Sequence, residues 1–174
     1  MKKKFERVAQ SAIAIAALCV SGYGFAFDGT VNFKGSVVDS ACSVSVATQN
    51  QNVEFGAVAK SGFTGVNTGT AMKKFPITLE NCSIVTYKKV TVRFDGVQDG
   101  DYLKLTEEAD KATGVAVQLL NPDGTPLALG YDSAVSTLVA GTNTINYAAR
   151  YVQNAAAVTV GFANAQAQFT VTYQ

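Results

Sequence analysis

The chain has 174 residues, with 14 Lys and Arg, 13 Asp and Glu, no His, no Trp and 3 Cys. Without His there is no Ser-His-Asp or Cys-His catalytic set and no His-ligated zinc site, and three thiols cannot make a four-Cys site. A formal charge of +1, with no Lys/Arg cluster beyond the N-terminus, offers no field for gripping nucleic acid.

The chain opens on a positive stretch, Met1-Lys2-Lys3-Lys4-Phe5-Glu6-Arg7, followed by the apolar run Ser11 to Val20. That run is too short to span a bilayer. Gly24-Phe25-Ala26 places small residues at −3 and −1 of a cleavage site, so residues 1–26 read as an export signal removed after Ala26. Its removal takes four basic residues and one acidic residue, leaving 10 basic and 12 acidic side chains in the remaining 148 residues. Cys19 departs with the signal. Cys42 and Cys82 then form an even pair in an oxidising compartment, and a disulfide between them is expected. A loop of that length gives roughly 4 kcal/mol of stabilisation by chain entropy.

The new N-terminus alternates at once: Phe27, Gly29, Val31, Phe33, Gly35 and Val37 are separated by Asp28, Thr30, Asn32, Lys34 and Ser36. Free termini are usually polar and mobile, so strand-like alternation here is unusual. Gly35 weakens a strand interior unless a backbone must approach something closely. The segment reads either as a first strand with a bulge or as a strand shaped for another molecule's groove.

Further strands are expected at Phe75–Glu80 and Lys89–Phe94, the latter with Val90, Val92 and Phe94 on one face. Asp95-Gly96 and Asp99-Gly100 mark turns. Thr106–Lys111 offers one helical turn, and its carboxylates Glu107, Glu108 and Asp110 read as a solvated face rather than as a catalytic pair. Val115–Leu120 is a strand that runs into the turn Asn121-Pro122-Asp123-Gly124, and Asn143–Tyr147 is another.

The last 14 residues alternate most strictly. Gly161, Ala163, Ala165, Ala167, Phe169, Val171 and Tyr173 are small or apolar, with polar Asn164, Gln166, Gln168, Thr170 and Thr172 between them. This is a long strand with one buried and one wet face. On pattern alone it fits the plain last strand of a sandwich better than a strand lining a groove that another chain fills. Short strands, turn residues and no long helical period indicate one all-β sandwich domain. No catalytic residue, metal ligand or cofactor is expected. A carbohydrate-binding sandwich is an alternative, weakened by the lack of Trp; core and hydrogen-bonding roles suit tyrosines such as Tyr87, Tyr102 and Tyr131.

Several stretches, in order, resemble the major pilin subunits of chaperone–usher pili, especially the type 1 fimbrial major subunit. These are Gly29-Thr30-Val31-Asn32-Phe33-Lys34-Gly35-Ser36-Val37-Val38, Ala41-Cys42, Leu79-Glu80-Asn81-Cys82, Gly141-Thr142-Asn143-Thr144-Ile145 and Ala149-Arg150-Tyr151. Gly161 is the fourteenth residue from the end and Tyr173 the penultimate one, matching that family's C-terminal pattern. The resemblance implies an incomplete immunoglobulin-like β-sandwich lacking its final strand, with an acceptor groove beside Gly161 to Tyr173. It also implies that residues 27–40 are an N-terminal extension donated to a neighbouring subunit, and that residues 41–174 form the pilin domain. The partners it implies are a periplasmic pilus chaperone, an outer-membrane usher and other pilin subunits in a head-to-tail homopolymer on the cell surface. No nucleotide or cofactor is implied, and a minor pilin or adaptor of the same pilus, which shares these motifs, is the alternative.

Overall fold

The computed structural model describes residues 28–35 and 41–174. The chain divides into two compact units, Met1–Val37 and Val38–Gln174. In the first, residues 28–35 form no regular element, and the side chains of Val31 and Phe33 are exposed. Phe27 and Val37, the outer members of the alternating segment, lie outside the described residues, as does the expected export signal.

The second unit is a sandwich of two antiparallel sheets. Its strands are β1 (Ser43–Val44), β2 (Lys73–Cys82), β3 (Lys89–Gly96), β4 (Gln98–Asp99), β5 (Tyr102–Leu103), β6 (Val115–Leu120), β7 (Pro126–Leu127), β8 (Ser136–Thr137), β9 (Gly141–Gln153) and β10 (Ala167–Tyr173). The larger sheet has the order β1-β2-β9-β6-β5-β4, with β7 also pairing β6; the smaller is β10-β3-β8. The Cys42–Cys82 disulfide is formed. It closes the corner where β1 pairs β2, next to a register shift between Leu79 and Cys82 that puts Asn81 at φ +54°. Such a bulge leaves the extra residue unpaired and bends the strand off the ladder.

The inward faces of β2, β3, β6 and β9 supply the core. Ile77, Leu79, Val90, Val92 and Val152 are fully buried. Between the sheets an aromatic cluster packs edge-on, with Phe94 against Phe75 and Tyr147 at ring centroid distances of 5.8 and 5.2 Å. The Tyr147 hydroxyl shares a hydrogen bond of 2.9 Å with Ser133 Oγ. Burial holds its pKa above the usual phenol value, and the Ser133 contact partly offsets the rise.

The strand expected at Val115–Leu120 has those borders, while others are longer. β9 runs eight residues past either side of the expected Asn143–Tyr147 core taken together, since its alternation is blurred where both faces are covered. Thr106–Lys111 is not helical: it is extended up to a turn at Asp110, whose φ is +57°. Its backbone pairs with the chain near residue 162 instead of with itself. The one short α-helix among the described residues, Val46–Gln49, has no apolar period long enough to announce it.

Candidate functional site

The expected strand Gly161–Gln174 is only partly regular. β10 starts at Ala167, opposite Gly96, where its partner β3 ends. Beyond that point the chain from Gln98 to Leu103 forms the small β4–β5 hairpin of the other sheet, so residues 161–166 lose β3 as a neighbour. They take the 106–112 stretch in its place: Phe162 N–H donates to Asp110 O, Ala112 N–H to Phe162 O and Thr106 N–H to Asn164 O, at 2.8–2.9 Å. Gly161 is required at this crossing, because a Cβ there would sit 2.5 Å from Ala112 N and 2.7 Å from Lys111 C.

The alternation itself is realised over the whole stretch. Ala163, Ala165, Ala167, Phe169, Val171 and Tyr173 point inward against the core, and the polar residues between them are exposed. Yet each inward residue is only half-buried, unlike its counterparts on β3. The backbone explains why. Lys89 and Gln174 exchange hydrogen bonds of 2.8 and 2.9 Å, which makes them a hydrogen-bonded pair of the antiparallel ladder. Such pairs alternate along a ladder. With Tyr173 opposite Val90 and Val171 opposite Val92, the N–H and C=O groups of Ala167, Phe169, Val171 and Tyr173 therefore face away from β3. No strand pairs with that edge among the described residues.

A second wall runs alongside. Gln51, Val53 and Phe55 point inward while Asn52, Glu54 and Gly56 are exposed, and this extended segment also belongs to no ladder. Phe55 lies on Tyr151 with ring centroids 4.4 Å apart, and the Tyr151 hydroxyl donates to Ala163 O at 2.7 Å. Gln51 reaches the other end, where its Nε2 donates to Pro76 O at 2.9 Å, beside the Phe75, Phe94 and Phe169 rings. The two walls thus run in opposite directions.

Between them is an open groove of about 840 Å³ whose floor includes Phe75, Ile77, Phe94, Leu103, Val117 and Leu119. A second cavity of about 480 Å³ continues it past Gly161, Phe162 and Val158. These floor residues belong to the core of the sandwich. Burial raises the pKa of Tyr151 and of Tyr173, with the Glu54 charge a smaller contribution at Tyr151. The Tyr173 hydroxyl donates to Cys42 O at 3.3 Å, which ties the end of β10 to the disulfide corner.

Sequence reasoning singled out the alternation of 161–173 and passed over residues 51–56. The only signal in Gln51-Asn52-Val53-Glu54-Phe55-Gly56 is the pair Val53 and Phe55, and two alternations are too few to stand out. Among the described residues no group of three or more Cys, Asp or Glu is placed to hold a metal ion, and no helix is long and apolar enough to cross a membrane. Glu107, from the acidic turn, is bound by Lys104 and Lys111 at 2.9 and 2.7 Å. Those contacts lower its pKa to about 2. It is a solvated ion-pair cluster, as its sequence suggested.

A family described as "Fimbrial protein" matches residues 31–174. The chain is 40% identical over 168 residues to the probable major fimbrial subunit LpfA of Escherichia coli O157:H7, covering 92% of this chain and 94% of that one. It is 33% identical to the long polar fimbria protein A of Salmonella typhimurium over the full length of both. Among solved structures, a chain from a chaperone–usher pilus superposes with a TM-score of 0.72 at 29% identity, covering 85% of this chain and 96% of that one. The P pilus rod subunit PapA gives 0.67 at 26% identity, covering 78% and 100%. The two-sheet architecture is therefore the immunoglobulin-like fold of such subunits.

Proposed function

Since the chain belongs to the fimbrial protein family, we propose that it is a structural subunit of a surface fimbria whose groove accepts a strand from the next copy. Residues 1–26 direct export and are removed; residues 27–40 are the strand each subunit donates; residues 41–174 are the domain that accepts one. On the way to the surface a periplasmic chaperone covers the groove first, and at an outer-membrane usher the neighbour's extension takes its place. No cofactor or nucleotide takes part.

One observation carries this reading: the last strand keeps a strict in–out alternation while its inward residues are half-buried, and the backbone groups of Ala167, Phe169, Val171 and Tyr173 face an edge with no strand partner among the described residues. An exposed edge beside an apolar floor invites strand addition. The 27–38 segment has the complementary pattern. Phe27, Val31, Phe33 and Val37 on its apolar face each contribute roughly 1.5–3 kcal/mol when buried, less the cost of ordering the segment. Gly29 and Gly35 suit places where the groove lacks room. Gly161, Ala163, Ala165, Ala167, Phe169, Val171 and Tyr173 form the accepting wall, and Cys42–Cys82 secures its far end through Tyr173. Because the donating and accepting surfaces differ, the contact does not close and a filament results.

The chain with Phe33→Asp tests this. It is expected to stop forming polymers by size-exclusion chromatography while still capturing a peptide of residues 27–40, because its own groove is untouched. Polymerisation at the unaltered rate would count against donation by this segment.

A further inference from the structure

The inserted segment has two possible directions in a groove whose walls are antiparallel to each other, and its backbone would find partners either way. Side-chain charge distinguishes them. Between Phe27 and Val37 the only charged residues are Asp28 and Lys34, both on the polar face and six residues apart. In a strand that separation is about 20 Å.

The groove is charged unequally along its length. Glu54 lines one wall, and at the same level Asn164 lines the other, its Nδ2 donating to Glu108 Oε1 at 2.9 Å. The level is fixed by Phe55, which rests on Tyr151, and by the Tyr151 hydroxyl, which donates to Ala163 O. Neither Glu54 nor Glu108 forms an ion pair among the described residues. The neighbouring bases are engaged or displaced: Lys104 and Lys111 both bind Glu107, and Lys60 lines the adjoining cavity. Toward the other end the outward residues Thr170 and Thr172 are neutral, and the residue opposite Thr170 is Arg93, which also contacts Asp95 at 3.1 Å.

Resting on the donor-strand reading above, we propose that Lys34 of one copy docks between Glu54 and Glu108 of the next, and that this latch sets the direction and register of the inserted strand. Lys34 is a positioning residue. With it at the Ala163 end, the strand runs antiparallel to β10 and Asp28 lies toward Arg93. The reverse direction brings Asp28 among the carboxylates and Lys34 toward Arg93, a like-charge arrangement at both ends. Rim charges of this kind act mainly on association rate, partner choice and salt dependence. Chains with the same apolar pattern but an acidic residue in place of Lys34 are correspondingly poor partners.

The test uses the full chain from Phe27 and fluorescent peptides of residues 27–40 in excess, with capture followed by anisotropy. At low salt the K34E peptide is expected to be captured about tenfold more slowly than the unaltered one, with K34Q between them. The gap should close near 1 M salt, where screening acts within a few ångströms. On the chain carrying E54K and E108K the order should invert. Equal low-salt rates for the unaltered, K34Q and K34E peptides on the unaltered chain would overturn the latch but leave the groove reading intact, and this comparison needs no altered chain to fold. Failure of a folded chain to capture the unaltered peptide at any salt would overturn the groove reading, and the latch with it.

Discussion

β3 and β10 are neighbours with nearly the same pattern and different fates. In register, Val92 lies opposite Val171 and Phe94 opposite Phe169. Val92 is 0% and Phe94 4% exposed, while Val171 and Phe169 are half-buried. Residue type, strand geometry and inward direction are the same within each pair. What differs is the other edge: β3 has β8 and the backbone of Gly130 and Ser133 alongside it, and β10 has no strand there among the described residues. Alternation specifies which way a side chain points; burial depends on who stands beside the strand.

That difference can be tested by truncation. The largest effect is expected at the aromatic pair. Phe94→Ala removes contacts to Phe75, Tyr147 and Phe169 and should cost about 3–5 kcal/mol in urea denaturation of the chain from Phe27. Phe169→Ala should cost less than half as much, and the gap should narrow once the 27–40 peptide is bound. The valine pair repeats the test at a smaller scale: Val92→Ala should cost about 2 kcal/mol and Val171→Ala well under that until the groove is filled. Equal costs in the free chain for either pair would mean that the β10 edge is covered.

The smallest effect concerns the turn beside the groove. Glu107 has its pKa lowered from about 4.5 to about 2, first by the hydrogen bond from Lys111 and then by that from Lys104. A carboxylate with a depressed folded-state value stabilises above its unfolded value and loses that contribution as pH falls toward about 2. Because the group is exposed, screening keeps the effect slight. Acid titration of the melting temperature should therefore show a shallow decline between about pH 4.5 and 2 that Glu107→Gln flattens. An unchanged slope in that variant would remove Glu107 from the account.

Much of the fold was legible because its strands carry the signals that sequence displays well. Lys89–Phe94 and Val115–Leu120 have β-rich composition and flanking turn residues, and Cys42 and Cys82 pair as their count suggested. The five two-residue strands were not legible, since two residues have no period. The start of β10 was misplaced for a tertiary reason: residues 161–166 alternate as faithfully as those after them, but β3 ends at Gly96 and the 106–112 stretch takes over. The wall at 51–56 was hidden because only Val53 and Phe55 in it are apolar and it joins no ladder among the described residues. The in–out alternation of 161–173 was readable from the sequence, the idea that it lines a groove came only from the resemblance, and the 51–56 side required the geometry of the structure.

The central claim is that the sandwich is completed by a strand from another copy. The most direct measurement compares melting of two chains that both lack residues 27–40, one ending at Gln174 and one continuing through a short flexible linker into a copy of residues 27–40. The account predicts that the added strand turns an aggregating, low-melting chain into a monomer that melts far higher. If the shorter chain is already a stable monomer and the added strand leaves its melting temperature unchanged, the sandwich is complete without a donor and the account is wrong.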